Sequence, residues 1–182
     1  MPYLDMLLRP AEPEDANSVA RVHVRSWQAA YRLLLPAGYL DNLSPEDRAQ
    51  TYDFACRDPL KPQTIVASKE GLILGFATTM PSRELDLKDH GELCALYVDP
   101  DHWSRGIGVA LVSAARANLF KLGFRNAALW ILAGNLRAHR FYQSDGWAPD
   151  GVRKTDSIWG VTVDEVRYQC VLQSPLRRDE GL

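Results

Sequence analysis

The sequence predicts an α/β (α+β) fold: one domain with a mostly antiparallel mixed sheet of about six or seven strands, flanked by about four helices. Three observations carry this. The hydrophobic repeat switches between about two residues and 3.6 residues along the chain, in the order strand, two helices, three strands, helix, strand, helix, and one or two strands. Residues 64–68 and 72–80 are β-rich runs separated only by Lys69-Glu70-Gly71, which fits an antiparallel hairpin. Residues 92–98 form a further strand closed by Asp99-Pro100, followed by a glycine-bearing turn and a long amphipathic helix.

Taken in order, residues 7–11 read as a short strand. Pro13 falls at a helix start with Glu14 and Asp15 in the first turn, where carboxylates suit the helix dipole. Ala16, Val19, Ala20, His23, Trp27, Ala30 and Tyr31 then share one helical face. Ser44-Pro45, with Asp47 three residues after the serine, is a capping-box variant; it predicts a second helix reaching about Cys56, before Arg57-Asp58-Pro59. Ile107, Leu111, Ala114, Ala115, Leu119 and Leu122 give 106–122 an apolar stripe, and Gly123 is placed to end that helix. Residues 127–132 follow as a strand. Residues 136–144 form a short helix capped by Asn135 and stopped by Gly146, and 161–172 the last long strand.

A chain of 182 residues suits a single core, since domains commonly hold about 100 to 200 residues. The domain is expected over 1–173. Residues 174–182 are expected to be a flexible tail, because Pro175, Arg177, Arg178, Asp179 and Glu180 give it nothing to bury. With 21 Lys and Arg against 23 Asp and Glu, a net charge of -2, no global field draws nucleic acid or an anionic membrane. Residues 1–8 lack the basic start and apolar core of a signal peptide, and no later stretch approaches the roughly 20 apolar residues of a span; a cytoplasmic protein is expected. Cys56, Cys94 and Cys170 are odd in number, far apart and without CxxC or Cys/His spacing, which predicts reduced structural thiols and no metal site.

Two segments carry chemistry. Residues 98–108 place a strand end, a turn with Gly106 and Gly108, and a helix start in succession. Glycine lets backbone approach a ligand without a Cβ in the way, and the first amides of a helix have no internal partners. The turn is therefore a candidate diphosphate seat, with Arg105 adding charge, or else a plain structural turn. The pattern Gly-x-x-x-x-Gly-Lys-Ser/Thr is absent. The dinucleotide pattern needs its first glycine directly after the strand, whereas Asp99 to Arg105 intervene here. The second segment, 135–147, sets Ala138, Phe141 and Tyr142 on one helical face behind Asn135, then ends in Gly146-Trp147.

A strand, an Arg/Gln-x-x-Gly-x-Gly/Ala loop, a long helix, a strand and then Asn-x-x-Ala-x-x-Phe-Tyr-x-x-x-Gly-Phe/Trp resembles the GCN5-related N-acetyltransferase (GNAT) superfamily. The resemblance is most specific over 92–147. It extends to the opening Leu8-Arg9-Pro10-Ala11 with Asp15 and to the closing strand 164–172. It implies a GNAT-type domain using acetyl-CoA without a metal and a small-molecule or peptide amine as acceptor; members of the superfamily often pair, which leaves monomer and homodimer both open. One position departs from the pattern: the loop's first residue, Arg or Gln in the family, is Trp103.

The resemblance also implies roles. Strand 92–98 is expected to diverge from 127–132 and admit the pantetheine arm, with backbone groups of Leu96, Tyr97 and Val98 pairing to it and Asn135 touching it from the other side. Backbone amides over Ser104, Arg105, Gly106, Ile107, Gly108, Val109 and Ala110 are expected to hold the diphosphate. Direct transfer needs a neutral amine and a proton for the departing thiolate, and a lysine-like ammonium with a pKa of about 10 needs a base at pH 7. Glu92, eleven residues ahead of the loop's Arg/Gln position, matches the family's glutamate base; it would act through a water with its pKa raised by burial. His90 is the second candidate. Tyr142 matches the tyrosine near the CoA sulfur, a candidate acid. Trp27 and Tyr31 fall where the superfamily builds its acceptor pocket, and are read as substrate contacts or as core. Glu84, Asp86 and Asp89 form an acidic loop, solvated or steering a cation. A catalytically silent acyl-CoA-binding sensor or partner subunit, and transfer of a larger acyl group, are the alternatives.

Overall fold

The computed structural model describes residues 5–174, so the expected tail lies outside the described residues except for Ser174. The elements are β1 (Leu7–Pro10), α1 (Ala16–Ala30), α2 (Ala37–Asp41), α3 (Pro45–Ala49), β2 (Gln63–Lys69), β3 (Leu72–Pro81), β4 (Gly91–Val98), α4 (Ile107–Lys121), β5 (Asn126–Leu132), α5 (Leu136–Ser144), β6 (Ala148–Ile158) and β7 (Val161–Val171). The strands make one sheet in the order β1-β2-β3-β4-β5-β7-β6. All neighbours are antiparallel except β4 and β5, which α4 joins as a crossover.

Alternate residues of a strand face opposite sides, and the two faces bury different helices. On one side Val66 and Phe76 pack with Val19 and Val22 of α1. On the other, Ala67, Leu74, Ala77 and Leu93 pack with Leu111, Val112, Ala115 and Leu119 of α4. Tyr142 and Trp147, at the end of α5, join the α4 side. A third cluster, with Trp27, Tyr31, Leu35, Leu40, Leu132 and Val163, closes the end of the sheet near α2.

Most predicted elements are present within two residues of their expected bounds; the region after α1 is not. The helix expected to run from Ser44 to about Cys56 is only Pro45–Ala49. Its start is as the capping signal implies, because the Ser44 hydroxyl accepts from the Asp47 amide at 3.1 Å. The helix stops early because Tyr52 and Phe54, stacked at 4.9 Å, turn inward to pack against α1 and β3. Burial of two rings outweighs local propensity there. The short helix α2 and the full length of β6 were not anticipated, and α2 raises the helix count from about four to five. Both tight hairpin turns use two positive-φ residues, Glu70-Gly71 (51° and 79°) and Trp159-Gly160 (52° and 80°), the geometry that matches strand twist. None of the helices among the described residues is long and apolar enough to cross a membrane.

Candidate active site

Strands β4 and β5 pair only at Gly91 with Ala127 and Glu92 with Ala128. Beyond that they part, as expected, and a cavity of about 1060 Å³ opens between them and under α1. Its lining includes Glu92, Leu96, Tyr97, Val98, Gly106, Gly108, Asn135 and Tyr142 from the predicted set, together with Trp27 and Tyr31.

Strand register decides which backbone groups meet this opening. The Asp99 amide donates to the Leu74 carbonyl at 2.8 Å, and the ladder continues as Val98 opposite Gly75 and Tyr97 opposite Phe76. In an antiparallel ladder bonded and non-bonded pairs alternate, so the backbone of Tyr97 turns to β3 while those of Leu96 and Val98 turn to the opening. The Val98 carbonyl already accepts from Trp103 Nε1 at 2.7 Å and Ser26 Oγ at 2.8 Å, which uses both of its lone pairs. The groups left to a ligand are the Leu96 N–H and C=O and the Val98 N–H. Tyr97, expected as a backbone contact, offers its side chain instead.

The glycine turn is tied down from α1. Arg25 pairs with Asp99 at 2.9 Å and Asp101 at 2.7 Å, and the Asp99 carboxylate accepts from the Asp101 amide. Ser104 and Gly106 take φ of 60° and 84°, so the chain turns sharply into α4 with Ser104, Arg105 and Gly106 exposed. A Cβ on Gly108 would lie 3.4 Å from the Phe141 ring. Trp103, the departure from the family pattern, spends its N–H on Val98 and presents its face to Arg137, whose guanidinium carbon stands 3.5 Å from the ring centroid. Sequence reasoning missed Arg137, whose guanidinium lies over the Trp103 ring and which lines the cavity.

Asn135 is an N-cap, its Oδ1 accepting from the Ala138 amide at 3.2 Å, and it also lines the cavity. Tyr142 is buried, its ring 5.0 Å from Phe141 and 6.0 Å from Trp147. Burial pushes its phenol well above the ordinary value, which keeps it protonated.

Glu92 is 3% exposed and paired to Arg83, with Nη2 2.7 Å from Oε1 and Nε and the backbone amide each 3.3 Å from Oε2. A second carboxylate, unanticipated, shares this end of the cavity: Glu165 on β7, 6% exposed. Burial raises its pKa, and Asp156 and Glu92 push the same way against Lys154 and Arg83. Lys154 lies 3.9 Å from Glu165, closer to Glu84 at 3.3 Å and Asp156 at 3.4 Å. His90, the second candidate base, is not among the cavity-lining residues. The acidic loop is tethered in part, with Glu84 on Lys154 and Trp130 and Asp86 on Arg167.

Trp27 and Tyr31 are both core and cavity wall, 3% and 7% exposed, with their rings 5.0 Å apart. Trp159, from the β6–β7 turn, stacks on Trp27 at 4.3 Å and lies 4.4 Å from His23. His23 also stacks on Tyr97 at 4.5 Å and meets the Tyr52 hydroxyl through Nδ1 at 2.8 Å. Burial depresses its pKa well below the ordinary value, so it is neutral. A bulky residue at positive φ is uncommon; the ring contacts of Trp159 hold that conformation.

Comparison with known proteins agrees with this geometry. The model of the Acetyltransferase (GNAT) family matches residues 27–147. YuaI of Bacillus subtilis (strain 168), an uncharacterised N-acetyltransferase, is 29% identical over 160 residues, 87% of this chain and 89% of that protein. The crystal structure of a GCN5-related N-acetyltransferase from Rhodopseudomonas palustris has a TM-score of 0.73 at 24% identity, covering 94% of this chain and 99% of that one. The PaiA N-acetyltransferase of Thermoplasma acidophilum, solved in complex with coenzyme A, has a TM-score of 0.68 at 19% identity over 90% of this chain and 98% of its own. The structural likenesses carry the fold, and the family match carries identity: the chain belongs to the GNAT family and is an N-acetyltransferase.

Proposed function

We propose that the protein transfers the acetyl group of acetyl-CoA to a primary amine by direct attack. One observation carries this reading: the parting of β4 from β5 leads into a single cavity bordered by the glycine turn, Tyr142 and two buried carboxylates. Coenzyme A in the Thermoplasma relative supports it. The diphosphate rests on the amides from Ser104 through Val109, with Arg137 beside it; the Ala110 amide, expected to join them, is committed to the Gly106 carbonyl at 3.0 Å. The pantetheine arm pairs with Leu96 and the Val98 N–H while Asn135 faces it. The amine nitrogen bonds to the thioester carbon, the C–S bond then breaks, and the thiolate takes its proton from Tyr142. The proton released by the amine passes through a water to Glu92. Glu165 is a second reading for that proton acceptor, favoured by the burial that raises its pKa.

The test is release of free thiol from acetyl-CoA against a panel of amines. Tyr142→Phe is expected to lower kcat by about 10²-fold or more, with the Kd for CoA within about twofold of the parent. Tight CoA binding in calorimetry with no thiol released by any amine would overturn the assignment in favour of a silent acyl-CoA-binding protein.

A further inference from the structure

The aromatic limb of the cavity holds two polar groups that acetyl transfer does not use. Arg48, on α3, lines the cavity with its guanidinium carbon 4.0 Å from the Trp159 ring centroid and 5.4 Å from that of Tyr52. Its Nε–H is buried and makes no hydrogen bond. Arg83, Arg116 and Arg167 each hold a carboxylate. Arg48 does not: the acids of its own helix, Glu46 and Asp47, are exposed, and no ion pair among the described residues includes it. The second group is the Trp27 indole N–H. Trp27 is 3% exposed and stacks on the same Trp159. Its Nε1 lies near the Tyr97 hydroxyl without making a bond of acceptable geometry.

Buried donors are normally satisfied, and two orphaned N–H groups in one wall are matched by an acceptor that enters the cavity. Guanidinium is the group best shaped for a carboxylate, with a planar fork of donors and weak hydration. We propose that Arg48 and Trp27 form an anion subsite, so that the acceptor is an amine bearing a free carboxylate, an amino acid or close analogue, held with its amine toward Glu92 and Glu165. This rests on the acetyl-transfer reading above. The cavity has the matching polarity: the Tyr97 phenol feels Glu165 opposing its ionisation and Arg48 favouring it, so it lies in the fields of both ends. His23, buried and neutral, adds no competing cation to the limb.

The experiment compares acceptors that differ only in the anion. L-amino acids and ω-amino acids are assayed with acetyl-CoA beside their primary amides, with polyamines and lysine peptides as amines without the subsite ligand. The parent enzyme is expected to favour at least one carboxylate over its amide by about 10- to 100-fold in kcat/KM, the range of a charge-assisted pair. Arg48→Met should cut that ratio at least tenfold through KM, with the Kd for CoA unchanged. Trp27→Phe, which keeps a ring and removes the N–H, should cut it by a smaller factor. Amides or polyamines turned over as well as every amino acid would overturn the proposal. So would a loss of CoA affinity in Arg48→Met, which would place the guanidinium on a CoA phosphate. If no amine releases thiol, the acetyl-transfer reading fails separately, and calorimetry on the CoA-loaded protein still decides the subsite: binding of an amino acid but not its amide supports it, and binding of neither overturns it.

Discussion

Glu92 and Glu165 are both buried carboxylates in one cavity, and their partners separate them. Glu92 is gripped by a guanidinium fork and a backbone amide; Glu165 is held only loosely, by Lys154 at 3.9 Å. A carboxyl whose pKa is raised by burial is neutral at low pH and ionises above its ordinary value. Its charge, which attracts the ammonium or accepts its proton, is present above that raised pKa and lost as pH falls through it. The acid limb of the kcat/KM profile is therefore expected above the ordinary glutamate value of about 4.3, and Glu165→Gln should displace or abolish it. Glu92→Gln should keep the limb and lower kcat about 10²-fold if Glu92 takes the proton; an unchanged kcat would transfer that role to Glu165. Glu92 and Tyr142 were legible because each stands at a fixed spacing from a glycine motif. Glu165, Arg83, Arg48 and Trp159 were not. Each reaches the cavity only through tertiary placement, by β7 register, by the docking of α3 or by a loop or turn whose direction no local pattern records.

At the scale of elements, the start of β4 shows how closely the sheet is fitted to the helix behind it. Gly91 is buried where β3, β4 and β5 meet, opposite Pro81 and Ala127. A Cβ there would approach Leu119 of α4 to 2.6 Å from Cδ2 and 2.9 Å from Cδ1. Leu119 is 0% exposed, so its side chain can give way only by repacking within the core. Gly91→Ala is expected to destabilise the fold by about 1–3 kcal/mol, the usual range for overpacking, read from denaturant unfolding with an unchanged m-value. A neutral result would show that α4 can shift on the sheet. The strands and α4 were legible because periodicity and punctuation by Gly and Pro agree over many residues. The segment after α1 was not, because Phe54 is buried and Tyr52 half-buried by partners distant in sequence, and that packing overrides a correctly read cap at Ser44.

For the whole molecule the decisive feature is the seam. Two strand pairings, Gly91 with Ala127 and Glu92 with Ala128, join β1–β4 to β5–β7 along the sheet, and the remaining length of β4 turns unpaired backbone to the opening. In the proposed mode of binding, a pantetheine arm would supply the missing partner from Leu96 onward and so complete the sheet across the gap. Ligand binding then acts on particular amides. In the free protein the Leu96 and Val98 N–H groups should exchange with solvent faster than those of Tyr97, opposite Phe76, and Asp99, bonded to Leu74. Saturating CoA should slow Leu96 and Val98 and leave the other two little changed beyond the global gain, about 2.7 kcal/mol at 100 times Kd. Uniform protection of all four amides would mean that the ligand tightens the domain without lying along β4. Protection confined to the Gly106 turn would place the diphosphate there and the pantetheine elsewhere. The alternation of the β4 ladder is what makes the first outcome the expected one, because it fixes which amides of this strand have no protein acceptor.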